Sequence, residues 1–253
     1  MSMFDVISSS RRRFSPLQLS PALWLDASDA STLYDSTTGG SLVLADGVVA
    51  RWEDKSGNAR HATQATLGYR PQRKIGVKNG KDIVRFNGAN SLEGFLVSST
   101  QWIFFTVHVI TSFTNKQYQR VFSQRFSGSN LDYDQVGHYI PILQNSGSTQ
   151  FGSFANSGMV GLINSTVNVW ETRISKHTGS VITNYRNNVA STDYSHTLGS
   201  NGYKYCLGAI NATSSSFDNL DGNIAEILAF PTALSTADRQ SVESYLNAKW
   251  AIY

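Results

Sequence analysis

Apolar residues recur along most of this chain with the alternation of strands, in which successive side chains point to opposite faces. Val48 to Trp52 alternates, and Asp82-Ile83-Val84-Arg85-Phe86 runs into the turn pair Asn87-Gly88. Trp102 to Thr111 is apolar at both odd and even positions, as in a strand covered on both sides. Asn168 to Ser175, Val181 to Arg186, Tyr203 to Ile210 and Ile224 to Phe230 continue the series. Asn187-Asn188 follows one of these runs, where a tight hairpin needs residues that tolerate positive φ. Many short strands separated by turn signals predict an all-β fold, a two-sheet antiparallel sandwich.

The pattern changes at the two ends. Ser235-Thr236-Ala237-Asp238 reads as a helix start with its cap, and Val242, Tyr245, Leu246 and Trp250 follow at helical spacing. A C-terminal amphipathic helix is predicted over 235–250, with Arg239, Gln240, Glu243 and Asn247 on its polar face. It is expected to pack on the sandwich edge with Trp250 buried. Residues 1–20 carry Ser8-Ser9-Ser10, Arg11-Arg12-Arg13, Pro16 and little periodic apolar content. They predict an extended arm that needs a partner to order it. The chain therefore divides into an arm, 1–20, and one domain, 21–253, with Phe4, Arg11, Arg12, Arg13 and Phe14 as the candidate anchoring residues.

Charge narrows the function classes. The net charge of +3 over 253 residues is mild and partly concentrated in the arginine run, so no extended basic face for nucleic acid is expected. Cys206 is the single cysteine, which rules out an internal disulfide. The first residues lack the apolar core of a secretory signal, which leads to the expectation of a complete chain made in a cytoplasm. No apolar run is long enough for a membrane-spanning helix.

Four segments carry a resemblance: LSPALWLDASDASTLY (19–34), VVARWEDKSGNARHATQ (48–64), RPQRKIGVKNGKDIVRFNGANSL (70–92) and LDGNIAEILAFPTALSTADRQSVESYLNAKWAIY (220–253). Together the chain resembles the concanavalin A-like lectin/glucanase superfamily in its laminin-G-like form, of the kind found in bacteriophage virion proteins and bacterial surface proteins. The resemblance implies a jelly roll of two curved antiparallel sheets. It leaves function to be argued from a site.

Glycosidases of that superfamily carry clustered acids on one strand, because hydrolysis needs two carboxylates facing one bond. Glu53, Glu93, Glu171, Glu226 and Glu243 are each isolated in this sequence, so no catalytic residue is assigned and a non-enzymatic chain is expected. Glu226, between Ala225 and Ile227, reads as a buried and satisfied acid. The stretch RWEDKSGNARHATQ (51–64) holds an acid, a serine and His61 close together, yet neighbours in sequence rarely form a triad. Its Asp, Gly and Asn are turn formers, and it reads as structure.

Laminin-G-like modules often hold calcium at one rim. Asp132 and Asp134, with His138 nearby, form the best local oxygen cluster, followed by Asp26 with Asp29 and Asp218 with Asp221. None is a full ligand set, so no cofactor is assigned and calcium stays a weak candidate. The five histidines lack metal-ligand spacing.

Residues 118–154 mix flat rings with amides and arginines, which suits sugar recognition. Tyr118, Arg125, Tyr133, Tyr139 and Asn145 are the candidate glycan-binding residues. The expected role is a virion structural protein, a capsid decoration or tail or fibre module at the virion surface. Its partners are other virion proteins through the arm, and a host glycan; no nucleic acid or membrane is expected, and a homo-oligomer is. A bacterial glycan-binding module is the alternative, and a polysaccharide-degrading enzyme the third reading.

Overall fold

The computed structural model describes residues 13–112, 118–125, 139–145, 148–155, 158–195, 204–209 and 219–253. In chain order its strands are β1 (Leu23–Asp26), β2 (Leu33–Tyr34), β3 (Arg51–Trp52), β4 (Ala62–Thr63), β5 (Gln72–Lys78) and β6 (Lys81–Asn87). There follow β7 (Leu92–Phe95), β8 (Trp102–Ile110), β9 (Tyr118–Arg125), β10 (Tyr139–Asn145), β11 (Ser148–Ala155) and β12 (Gly158–Asn164). The last are β13 (Glu171–His177), β14 (Val181–Arg186), β15 (Val189–Ala190), β16 (Tyr194–Ser195), β17 (Lys204–Leu207) and β18 (Asp221–Phe230), before the helix α1 (Thr236–Trp250).

The strands form two antiparallel sheets. Sheet A runs β15-β14-β13-β8-β18-β6-β5, with β1 added to β18 and β16 to β14. Sheet B runs β12-β11-β10-β9-β17-β7-β4-β3-β2. The fold is the predicted all-β sandwich with one C-terminal helix.

Strand β8 shows why. Trp102, Phe104 and Ile110 join Trp52, Phe86, Leu92, Phe122 and Tyr205 in the core between the sheets. Ile103, Phe105 and Val107 point the other way, into a second core with Val242, Leu246 and Trp250 of α1. All nine residues of β8 are buried, as expected for a strand covered on both faces. Each large apolar side chain so buried contributes about 1.5–3 kcal/mol.

Helix α1 lies on the outer face of sheet A and not on the sandwich edge. Its apolar stripe meets Ile83, Phe105, Ile174 and Leu228, a whole sheet face that would otherwise be wet. Ser235 caps it, accepting from the Asp238 backbone N–H at 3.1 Å and donating its hydroxyl to the Asp238 carboxylate. Arg239 and Glu243, predicted on the polar face, are buried. They pair with each other, and the guanidinium lies 4.3 Å from the centre of the Tyr185 ring. The β5–β6 turn finishes the helix: Lys78 Nζ donates to the Ala251 carbonyl (2.8 Å) and Asn79 Nδ2 to the Lys249 carbonyl (2.9 Å).

Of the arm, residues 13–20 are described. Ser15 caps a 3₁₀ turn over Pro16–Leu19, Pro16 is buried, and Phe14 rests on Tyr245 with ring centres 6.2 Å apart. An apolar surface was available on α1, which composition alone did not reveal. Asn187 and Asn188 have φ of 45° and 70°, the left-handed pair that the β14–β15 hairpin requires.

Candidate functional site

The stretch RWEDKSGNARHATQ ties β1 to the corner of sheet B. Asp54 accepts from the Trp24, Ser56 and Arg60 backbone N–H groups at 2.9–3.0 Å and from the Ser56 hydroxyl at 2.7 Å. Asn58 and Arg60 donate to the Ala22 carbonyl, Arg60 at 2.6 Å. His61 Nδ1 accepts from the Asp54 N–H at 3.0 Å, so His61 faces the backbone of the acid and not a serine hydroxyl. The stretch is a structural clamp.

Asp26 and Glu226 are register partners on β1 and β18, a juxtaposition that sequence spacing concealed. Glu226 accepts from the indole N–H of Trp24 (2.7 Å) and of Trp250 (2.6 Å) and from the Tyr245 hydroxyl (3.0 Å). Lys249 Nζ lies 2.8 Å from Glu226 and 2.6 Å from Asp26. Burial, then the neighbouring Asp26, raises the Glu226 pKa. Burial also pushes Asp26 upward, but Lys249 and Lys55 outweigh it and hold that carboxyl below its ordinary value. Two carboxylates with split acidities resemble a hydrolytic pair. Here the Glu226 side chain is fully covered, and a lysine ammonium stands between the acids where a substrate bond would have to lie. The group fastens α1 to β1 and β18.

Asp26 and Asp29, an expected calcium pair, are joined by Lys55, whose Nζ is 2.9 Å from one and 2.8 Å from the other. An ammonium fills the space a cation would need. Asp221 accepts from the Thr111 hydroxyl at 3.0 Å. Asp218, Asp132, Asp134 and His138 lie outside the described residues, as do Tyr133, Phe4, Arg11 and Arg12. Among the described residues no three His, Cys, Asp or Glu side chains gather as a metal group.

The half of the sandwich under β13 and β14 is polar inside. Glu171 is buried between Arg173 (2.5 Å) and Arg186 (2.7 Å). Ser153 of β11 bonds Ser175 (2.7 Å) and Asn184 (2.8 Å), stitching the two sheets. His108, the register partner of Glu171, is fully buried with Nδ1 3.0 Å from the Thr106 hydroxyl. Burial, then Arg173, pushes its pKa down from 6.5 to about 3, so the ring is neutral.

Four of the predicted glycan-binding positions fall on β9 and β10 of sheet B, spread along the length of both strands. Residues paired across an antiparallel ladder share a face, and alternate residues along a strand return to it. Tyr139, Pro141, Leu143 and Asn145 alternate along β10; Leu143 pairs with Tyr118 and Tyr139 with Ser123. One extra residue on β9 between these pairs keeps the register in phase. Arg125 lies two residues beyond Ser123 and pairs with Lys204, which pairs with Phe95. Leu92, Tyr205 and Leu207 occupy the core face of the same strands. Tyr118 and Asn145 thus lie toward one end of the β9–β10 ladder and Arg125 and Tyr139 toward the other; Ser123 and Cys206 on this face are buried, and Arg125 shares a row with Lys204 and Phe95, two residues from Glu93.

Sequence reasoning missed those last three. Phe95 is 58% exposed, unusual for a phenylalanine on a strand. Four residues of β7 carry too little period to mark which of them face out. Of the anchoring candidates, Arg13 and Phe14 line a cavity of about 930 Å³ beside α1 with Asn79, Lys81, Ser244 and Tyr245.

No protein-family model matches this chain, and no curated protein is similar to it in sequence. Solved structures are similar in fold. An arabinofuranosidase complexed with arabinofuranosyl-alpha-1,2-xylobiose is 14% identical, with 91% of this chain and 59% of that one covered and a TM-score of 0.58. The receptor binding domain of botulinum neurotoxin D is 10% identical, with 90% and 53% covered and a TM-score of 0.55. The botulinum neurotoxin type G receptor binding domain is 11% identical, with 89% and 51% covered and a TM-score of 0.51. This chain spans little more than half the length of each. At such identities the likeness is one of fold: a jelly-roll-like β-sandwich of a class shared by glycosidases and receptor-binding domains.

Proposed function

We propose that this chain is a non-catalytic, glycan-binding β-sandwich displayed on a bacteriophage particle. One observation carries the binding reading: Phe95, 58% exposed, stands on the outer face of sheet B beside its register partner Lys204. Rings stack on the apolar face of a sugar, and amides and charged groups bond its hydroxyls. The similar solved structures include an enzyme with a sugar ligand and receptor-binding domains, which agrees with this reading.

The non-catalytic reading is supported by the buried acids. Glu226, Glu171 and Asp26 are each engaged by cations, and Glu226 also by ring donors. The virion reading rests on the sequence resemblance and on the polar, arginine-bearing arm of residues 1–20.

The test is a panel of immobilised oligosaccharides, with released reducing ends measured on every glycan that binds. Saturable binding without release is the expected result. Release that is abolished by Glu226→Gln would make the chain a hydrolase. Sedimentation of the native source then addresses display: the chain should travel with particles at high salt, and recovery only in soluble or envelope fractions contradicts the virion assignment.

A further inference from the structure

We infer that the trough between α1, Phe14 and the β5–β6 turn seats an acidic, extended segment of a partner protein. The cavity of about 930 Å³ runs along one face of the helix, from Ala237 through Gln240, Ser244 and Tyr245 to Ala248. These positions recur three and four residues apart, so they form one continuous stripe. From Ala237 to Ala248 the helix rises roughly 16 Å, the reach of about five residues of extended chain. The trough lies on the outer side of sheet A, whereas Phe95 stands on sheet B, so its occupant is independent of the glycan-binding reading.

Charge selects the occupant. Arg13, Lys81 and Lys249 line the trough, and no acidic side chain does. Lys249 is neutralised from within, between Asp26 (2.6 Å) and Glu226 (2.8 Å). The side chains of Arg13 and Lys81 have no hydrogen-bond or ion-pair partner among the described residues. Each acid beside a lining residue in sequence is engaged elsewhere: Asp82 by Arg73 at 2.7 Å, Asp238 by the Ser235 hydroxyl at 2.7 Å, and Glu243 by Arg239. Two open cations with no facing carboxylate favour an anionic partner.

The walls favour a peptide over a saccharide. The rings of Phe14 and Tyr245 stand 6.2 Å apart, and Ala237 and Ala248 add methyl groups. The Tyr245 hydroxyl is taken by Glu226 at 3.0 Å, which leaves the trough its apolar ring. Such walls suit an apolar side chain flanked by acidic ones. Gln240 and Ser244, exposed one helical turn apart, offer an amide and a hydroxyl to the backbone of an extended chain. Both sides of the trough are fixed in advance. Lys78 and Asn79 bond the last helix carbonyls, and the buried Pro16 holds the turn that follows Phe14.

The experiment is fluorescence titration of labelled hexapeptides with the full chain and its variants. The peptides carry glutamates around one leucine or phenylalanine; the same peptides with lysine for glutamate, and labelled oligogalacturonate, are the comparisons. The glutamate peptides should bind, less tightly as salt rises, and the lysine peptides should not. Arg13→Glu and Lys81→Glu should each lower the affinity about tenfold. Ser244→Trp, which fills the trough from an exposed position, should abolish binding, and a melting temperature equal to wild type shows that each variant is folded. Lys176→Glu makes the same charge change on β13, separated from β6 by β8 and β18, and should leave the affinity unchanged. Failure of the glutamate peptides to bind overturns the site. So does binding that Lys81→Glu and Ser244→Trp leave intact, or that Lys176→Glu weakens equally. Oligogalacturonate bound in preference to the peptides overturns the protein partner and makes the trough a site for an anionic saccharide.

Discussion

His108 is buried and neutral, with its pKa pushed down to about 3 from an ordinary 6.5. A depressed folded-state value means that its stabilising contribution is present above pH 6.5 and lost as pH falls toward 3. A shift of this size corresponds to a few kcal/mol. Melting temperature should therefore fall between pH 6.5 and 4, and the fall should be smaller in His108→Gln; equal slopes in the two proteins would show that another group governs the window. Glu226 is the second residue on which much depends. Glu226→Ala leaves two indole N–H groups and the Tyr245 hydroxyl without their acceptor, removes one of the two carboxylates on Lys249, and should cost about 3–5 kcal/mol in denaturant unfolding. A loss under 1 kcal/mol would mean that the helix is held by its apolar stripe alone. Glu226 was readable as a satisfied acid because apolar neighbours flank it in sequence. Its pairing with Asp26 was not, because that contact spans 200 residues of chain.

Among elements, those with many periods were legible. β8, β14 and α1 appear where alternation or helical spacing placed them, and the helix differs from its predicted start only in that Ser235 is its cap. Two-residue strands such as β2, β3 and β4 have no period to read. The Asp54 clamp follows β3 directly and ties this corner of sheet B to β1. The side of the sandwich that α1 covers was also hidden. Hydropathy sends Arg239 and Glu243 outward, whereas their mutual pairing and the Tyr185 ring allow them inside. Ser235→Ala removes the N-cap and should cost about 0.5–2 kcal/mol. Asp54→Ala removes four bonds from one loop and should cost more than Ser235→Ala. Chemical denaturation of the two variants side by side checks the order, and a reversed order would assign the clamp a smaller part in the fold than its bonds imply.

At the scale of the molecule, the two faces of the sandwich have different fates. Sheet A spends its outer face on α1, which buries the apolar side of β8, β13 and β18. Sheet B leaves Phe95 of β7 exposed on its outer face, while Ser123 and Cys206 of that face are buried. On the proposed reading, glycan binding belongs to sheet B and architecture to sheet A. The most direct test is hydroxyl-radical footprinting of the intact chain with and without the tightest oligosaccharide of the panel, read by mass spectrometry. Oxidation of Phe95 and Tyr139 should fall when the glycan is bound, while Tyr194 and Tyr253, which belong to sheet A and the C-terminus, stay unchanged. Protection of Tyr194 or Tyr253 with Phe95 and Tyr139 unaffected would contradict the account, and would move the binding surface to the other side of the molecule.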